Sequence, residues 1–212
     1  LILPDTPRQR RVFLLARQVN AENGRSLGQT VSFQVNAIGF LLPFFSKTIG
    51  RFFSAGWDLK AAAGGELEEL KVDGGFAGIT EMFDLDKPVI AAVNGFAAGG
   101  GFEIALACDI ILCADHARFA VPEINIGVLA DAATIKLPRR VPYHFAMDLL
   151  MTGRWMEPAE AKQWGIVKDV VPAPQLMDQA RELATLLAQG PPLVFAAIKE
   201  VVRETIHRPV QE

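Results

Sequence analysis

Cysteine, long apolar runs and unbalanced charge are all scarce in this chain of 212 residues. Each scarcity closes off a class of protein. The two cysteines, Cys108 and Cys113, sit too close together on one stretch that reads as helix and then strand to build a disulfide framework. No CxxC or Cys/His spacing offers a zinc site, so no metal is expected. Reduced thiols in a core are the plain reading, and they fit a cytoplasmic location. The longest apolar run near the start, Ala37 to Phe45, is broken by Gly39 and Pro43. It is too short to span a bilayer, and it lies too deep in the chain for a signal peptide. No membrane partner is expected. The formal net charge is -3 and the pI about 5.7, so the basic field that nucleic acid demands is missing. Internal repeats and low-complexity tracts are absent as well.

What remains is an ordinary globular composition. Half of the residues are hydrophobic and 21% are charged, over a length that suffices for one real core. The two ends of the chain read differently. Residues 1–50 carry Arg8, Arg10, Arg11, Arg17, Arg25 and Lys47 against Asp5 and Glu22. A solvated terminus is the plain reading of that excess, and a phosphate-binding arm is the alternative. The same span suggests a helix from Arg10 to Asn20, a polar turn at Asn23-Gly24 and the apolar patch 37–45. It holds few caps or alternations. The chain starts at Leu1 rather than Met, which reads as part of something longer.

From Arg51 onward the punctuation is orderly. Val89–Val93 follows Pro88 as a short β-branched run and predicts a buried strand. Asn94-Gly95 breaks it. Three glycines, 99 to 101, then open into an apolar helix, Phe102–Cys108. Ile110–Cys113 and Arg118–Ala120 predict two more strands. Asp131 is placed to cap a helix running towards Arg139. Pro142 and Gly153 bracket the next helix, and Pro158 and Gly165 another. Ile166–Val171 reads as a strand, and Gln175–Leu187 and Leu193–Glu204 as amphipathic helices. Strands alternating with helices define an α/β fold.

Three segments carry chemistry. In Ala97-Ala98-Gly99-Gly100-Gly101-Phe102-Glu103, glycines between strand and helix leave peptide N–H groups open to a ligand. The helix that follows adds unpaired N–H groups and the positive end of its dipole. Such a corner suits a developing oxyanion, although many glycine turns are merely tight. It is not GxGxxG, and no Walker lysine follows. In Phe53-Ser54-Ala55-Gly56-Trp57-Asp58, small residues again leave backbone accessible. A strand-ending turn with Asp58 as a helix cap explains that segment equally well. In Phe119-Ala120-Val121-Pro122-Glu123-Ile124, a carboxylate stands in an apolar run, as Glu103 does between Phe102 and Ile104. Apolar surroundings raise a carboxyl pKa towards a range useful for proton transfer. Two such acids suggest an acid/base pair, whereas each alone also reads as a surface or ion-paired residue.

Taken together these segments resemble the crotonase (enoyl-CoA hydratase/isomerase) superfamily, and within it the carnitinyl-CoA dehydratase subgroup. The resemblance covers about 51–212 and includes Lys87-Pro88-Val89-Ile90-Ala91-Ala92-Val93-Asn94-Gly95, Gly74-Gly75-Phe76-Ala77-Gly78, Met151-Thr152-Gly153-Arg154 and Trp164-Gly165-Ile166-Val167. It implies a ββα superhelix with an atypical N-terminus and a truncated C-terminal helical region. It implies an acyl-CoA thioester as substrate, with coenzyme A entering only as part of it and no separate cofactor. The N–H groups of Trp57 and Gly100 would form the oxyanion hole, and the Ala55 carbonyl would meet the adenine. Glu103 and Glu123 would be the acid/base carboxylates, Glu123 at the α-carbon and Glu103 at the oxygen. A homo-oligomer, trimer or hexamer, is implied where the C-terminal region is present. Trp57 and Phe102 are candidates for facing a cationic acyl group.

The chain departs from the pattern in places. Residues 1–50 do not match the family's opening strands. Ala132-Ala133 stands where many members have Gly-Gly, and Ala130 where proline is common. Three functions follow as expectations. The first is an acyl-CoA hydratase or dehydratase, probed by Glu→Gln changes. The second is an isomerase or hydrolase on the same scaffold. The third is a non-catalytic paralogue that only binds coenzyme A or joins an oligomer.

Overall fold

The computed structural model describes residues 52–56 and 74–206, and the backbone of two strands at 13–16 and 31–34. Among the described residues eight strands form two sheets. The larger contains β1 (Phe13–Ala16), β2 (Val31–Gln34), β4 (Val89–Val93), β6 (Ile110–Ala114) and β8 (Asp169–Val171), in the order β2-β1-β4-β6-β8. Its pairs are parallel except β1 with β2. The smaller contains β3 (Phe52–Ser54), β5 (Phe96–Ala98) and β7 (Arg118–Ala120), side by side in that order and parallel throughout.

The chain alternates between the two. Strand β4 lies in the large sheet, β5 in the small one, and helix α1 (Gly100–Ala107) follows. Strands β6 and β7 repeat the step, and α2 (Asp131–Lys136) closes it. This is a ββα repeat, and it explains why the strands are short and apolar. A strand of the large sheet is buried on both faces, so alternation disappears and a continuous hydrophobic run remains. Along β4, Val89, Ala91 and Val93 face the main core, shared with Phe102, Leu106, Phe119 and Met156. Ile90 and Ala92 face the other way, with Leu112 and Ala114 of β6. Leu176, Ala180 and Ala184 cover that second face. They recur every fourth residue of α5 (Leu176–Ala188), which places them on one helix face.

Helices α3 (Tyr143–Thr152), α4 (Pro158–Gln163) and α6 (Pro192–Thr205) complete the described chain. Pro142 precedes α3, and Gly153 ends it in a left-handed conformation, as the punctuation predicts. Four expectations change. The helix expected over Arg10–Asn20 is a strand at 13–16, because β4 offers an edge that pairs with it in parallel. Asp131 is the first residue of α2 and makes no side-chain cap; Ala130 holds the cap position. The strand expected over Ile166–Val171 is confined to Asp169–Val171, and Ile166 and Val167 donate instead to the Ala161 carbonyl. Phe102 is fully buried, with its ring 5.2 Å from that of Phe119, so it faces no cationic ligand. Asp58 lies outside the described residues.

Both cysteines are buried and free. Burial raises the Cys108 thiol far above its ordinary range and pushes Cys113 to about 12, so both are core groups without thiolate character. Among the described residues no helix is long and apolar enough to cross a membrane.

Candidate active site

The small sheet builds the site. Its three strands are parallel, so they end on one edge. There β3 delivers Ala55-Gly56, β5 delivers Gly99-Gly100 and β7 delivers Val121-Pro122-Glu123. Segments far apart in sequence thus arrive on one edge, because Ser54 pairs with Ala97 and Ala98 with Ala120. The Gly99 N–H donates to the Ala120 carbonyl at 3.0 Å and fixes the central turn against its neighbour.

The glycine turn is dictated by crowding. A methyl group on Gly101 would lie 2.1 Å from the Ser54 carbonyl oxygen, so α1 can dock on β3 only with hydrogen there. Gly99 has φ +54, and a methyl group on it would meet the Glu123 Oε1 at 2.5 Å. The same distances define the site. The Glu123 carboxylate lies against Gly99, and a methyl group on Gly56 would lie 2.8 Å from the Gly100 nitrogen. The Phe76 ring covers Gly100 from above, 2.4 Å from where a methyl group would stand. Trp57 lies outside the described residues, but its predecessor Gly56 is at the Gly100 amide. Ala55 is exposed at the rim.

The two glutamates meet here in different environments. Glu103 is on the first turn of α1 and 4% exposed. Its Oε1 accepts the Ala133 N–H at 2.8 Å, so α2 holds the carboxylate in place. The Ala133 amide is thereby committed to the acid. Burial raises the Glu103 pKa, with Asp131 adding to the rise; the Ala133 and Ala132 amides and Lys136 oppose it. Glu123 stands in a short 3-10 turn, Pro122–Ile126. Its pKa is also raised, chiefly by burial and further by the negative charge of Glu103. The two carboxyls are thus within each other's field. The Glu123 Oε2 is buried, and among the described residues it has no hydrogen-bond partner. Glu103 is thus anchored from a neighbouring helix, whereas Glu123 has one oxygen without a partner and only its own backbone amide to oppose the rise.

The burial of Glu123 does not come from its neighbours in sequence, because Ile124 and Ile126 are about half exposed, at 49% and 52%. Glu123 instead lines a cavity of about 240 Å³, together with Val121, Ile124, Val128, Leu129, Met147 and Leu150. Sequence reasoning missed this wall, the cover supplied by Phe76, and Lys136. The wall assembles across α3 and the loop before α2, and no local motif encodes it.

Comparison with known proteins agrees with the geometry. The family model for enoyl-CoA hydratase/isomerase matches residues 47–212. A carnitinyl-CoA dehydratase of Citrobacter koseri is 56% identical over 164 residues, 76% of this chain and 63% of that protein. One from Salmonella arizonae is 55% identical over the same shares. Among solved structures, a carnitinyl-CoA dehydratase from Mycobacterium avium 104 superposes with a TM-score of 0.67 at 36% identity, over 73% of this chain and 61% of that one. An enoyl-CoA hydratase from Mycobacterium marinum gives 0.70 at 38% identity, over 76% and 63%. The chain belongs to the enoyl-CoA hydratase/isomerase family, the crotonase superfamily. It spans 63% of the length of the Citrobacter and Salmonella relatives, just under two thirds.

Proposed function

We propose that this chain carries the reaction centre of an acyl-CoA hydratase or dehydratase, of the carnitinyl-CoA/crotonobetainyl-CoA type. The observation that carries the reading is the pairing of a buried glutamate, Glu103, and a half-buried one, Glu123, beside one glycine turn. A proton on the carbon next to a thioester is weakly acidic, and its removal places charge on the thioester oxygen. The Gly100 amide, with that of Trp57, would hold this oxygen. Fixed donors of this kind are each worth roughly 2.7–4 kcal/mol of barrier. In dehydration Glu123 takes the α-proton, and the β-hydroxyl leaves as water with a proton from Glu103. Hydration reverses both transfers.

The division of labour follows the environments. Glu123 can take up a proton at its unpartnered Oε2 without breaking a hydrogen bond at that oxygen. Glu103, held by Ala133, keeps its position and handles the oxygen. The apolar cavity offers space beside the reacting carbons, and the exposed Ala55 carbonyl is the contact for adenine. The names of the relatives support the carnitinyl type. An apolar stripe on α6, with Val194, Ile198 and Val201 half exposed or more, supports a homo-oligomer such as a trimer. Two buried, reduced cysteines support the cytoplasm.

The test is turnover of crotonyl-, crotonobetainyl- and carnitinyl-CoA by the chain and its Glu103→Gln and Glu123→Gln variants. Each substitution is expected to cut turnover by a factor of about 10²–10⁴, the usual share of a positioned acid or base. Unchanged turnover in both variants would overturn the reading. A 3-enoyl thioester converted to the 2-enoyl isomer without water uptake would replace it with an isomerase.

A further inference from the structure

Ahead of β4 the chain makes a turn that runs against ordinary backbone preference. In Gly74-Gly75-Phe76-Ala77-Gly78 four residues have positive φ: Gly74 at +91, Gly75 at +76, Ala77 at +66 and Gly78 at +64. Ala77 stands out. Among the described residues it is the one non-glycine with positive φ, and it is buried. A left-handed alanine is strained, and it persists only where its surroundings over-determine it. Here they do. The Gly75 carbonyl accepts the Gly78 N–H at 2.8 Å, and the Gly74 carbonyl accepts the Glu81 N–H at 2.8 Å. The Phe76 carbonyl accepts the Thr80 N–H at 3.3 Å, and Thr80 is buried beneath the turn.

The turn delivers one side chain to the site. The Phe76 ring packs on Gly100, with its Cδ1 and Cζ 2.8 and 2.9 Å from where a methyl group on that glycine would stand. From the other side, a methyl group on Gly56 would lie 2.8 Å from the Gly100 nitrogen. Gly100 is thus clasped between the end of β3 and an aromatic ring. The ring is half-buried and rests against the main core. It is not part of the cavity wall beside Glu123, so its contact is with the peptide of the turn and not with that space. A donor to a developing oxyanion works only as far as its direction is fixed in advance and water is kept from it. Gly100 is the first residue of α1 and has no side chain to hold it. The Phe76 ring supplies that hold.

We propose that Phe76, presented by the strained turn at Ala77, is a positioning residue that fixes the Gly100 peptide as a donor to the thioester oxygen. This rests on the reading of the Gly100 N–H as an oxyanion donor. The competing explanation is structural: the ring merely fills the gap between the turn and α1.

Two readouts on the full chain separate them. The first is the infrared stretch of the thioester carbonyl of butyryl-CoA, isotope-labelled at that carbon, in water and bound to the protein. A hydrogen bond to the oxygen lowers its frequency, and binding to wild type lowers it. The second is kcat and KM for hydration of crotonyl-CoA. In Phe76→Ala the bound carbonyl returns most of the way to its frequency in water. Its kcat falls by a factor of about 10², as when a donor is misplaced or lost, while KM changes far less. Phe76→Tyr keeps the ring and recovers most of both. Phe76→Leu keeps apolar bulk without the flat ring and falls between, which covers the case of a poorly folded Phe76→Ala. A folded Phe76→Ala or Phe76→Leu with the wild-type frequency and kcat overturns the proposal and leaves the Gly100 reading standing. So does Phe76→Tyr behaving like Phe76→Ala. A wild-type chain that leaves the carbonyl at its frequency in water overturns the Gly100 reading itself, and this proposal with it.

Discussion

Glu123 is the residue at which the site is most exposed to experiment. A half-buried carboxyl with a raised pKa binds its proton more tightly in the folded than in the unfolded chain. Its contribution to stability is therefore full below the unfolded pKa and is lost as pH rises through the folded one. Above its folded pKa the ionised Glu123 is a burden on the fold, because its Oε2 lacks a partner. We expect Glu123→Gln to unfold at a higher temperature than wild type at pH 8, with the advantage shrinking towards pH 4; calorimetry at the two pH values measures this. The pH dependence of turnover carries the same sign. With Glu103 and Glu123 both raised, kcat/KM should fall on acidification at a pH above that of an ordinary carboxyl group. Both acids were legible in the sequence because a carboxylate between apolar residues is conspicuous. Their difference was not, since the Ala133 amide that anchors one and the wall that isolates the other come from distant segments.

At the scale of elements, the small sheet decides where chemistry can occur. Parallel strands share a carboxyl edge, so three segments that look unrelated along the chain become neighbours. The sequence revealed those segments through their small residues and the strands through their apolar runs. It misread 10–20 as a helix, because a four-residue strand has too few positions to display a period, and because its pairing partner, β4, lies more than 70 residues away. The docking of α1 on β3 through Gly101 is the tightest joint. Gly101→Ala would force a methyl group against the Ser54 carbonyl oxygen. Overpacking of this kind costs about 1–3 kcal/mol, and the displaced Gly100 amide should cost turnover as well. Denaturant unfolding measures the first loss and a turnover assay the second.

Across the whole molecule, long-range polar contacts tie the last helix to the start of the central strand. The Asp109 Oδ2 accepts the Val89 N–H at 2.7 Å and the Lys199 ammonium at 2.9 Å, while Lys199 also donates to the Lys87 carbonyl. Asp109→Ala leaves a buried N–H of β4 without its acceptor, and should destabilise by about 1–3 kcal/mol in denaturant unfolding. Lys199→Met removes both contacts of the ammonium but leaves the Val89 N–H on Asp109, and should cost less. The scaffold thus joins sheet, site and the last described helix, and the central claim of the proposed function is that Glu123 is the base at the carbon beside the thioester while Glu103 serves the β-oxygen. The most direct test is proton exchange at the α-carbon of butyryl-CoA in heavy water, followed by proton NMR. Wild type should exchange one α-proton, Glu123→Gln should lose that exchange by orders of magnitude, and Glu103→Gln should keep it. Exchange at the wild-type rate in Glu123→Gln would contradict the account.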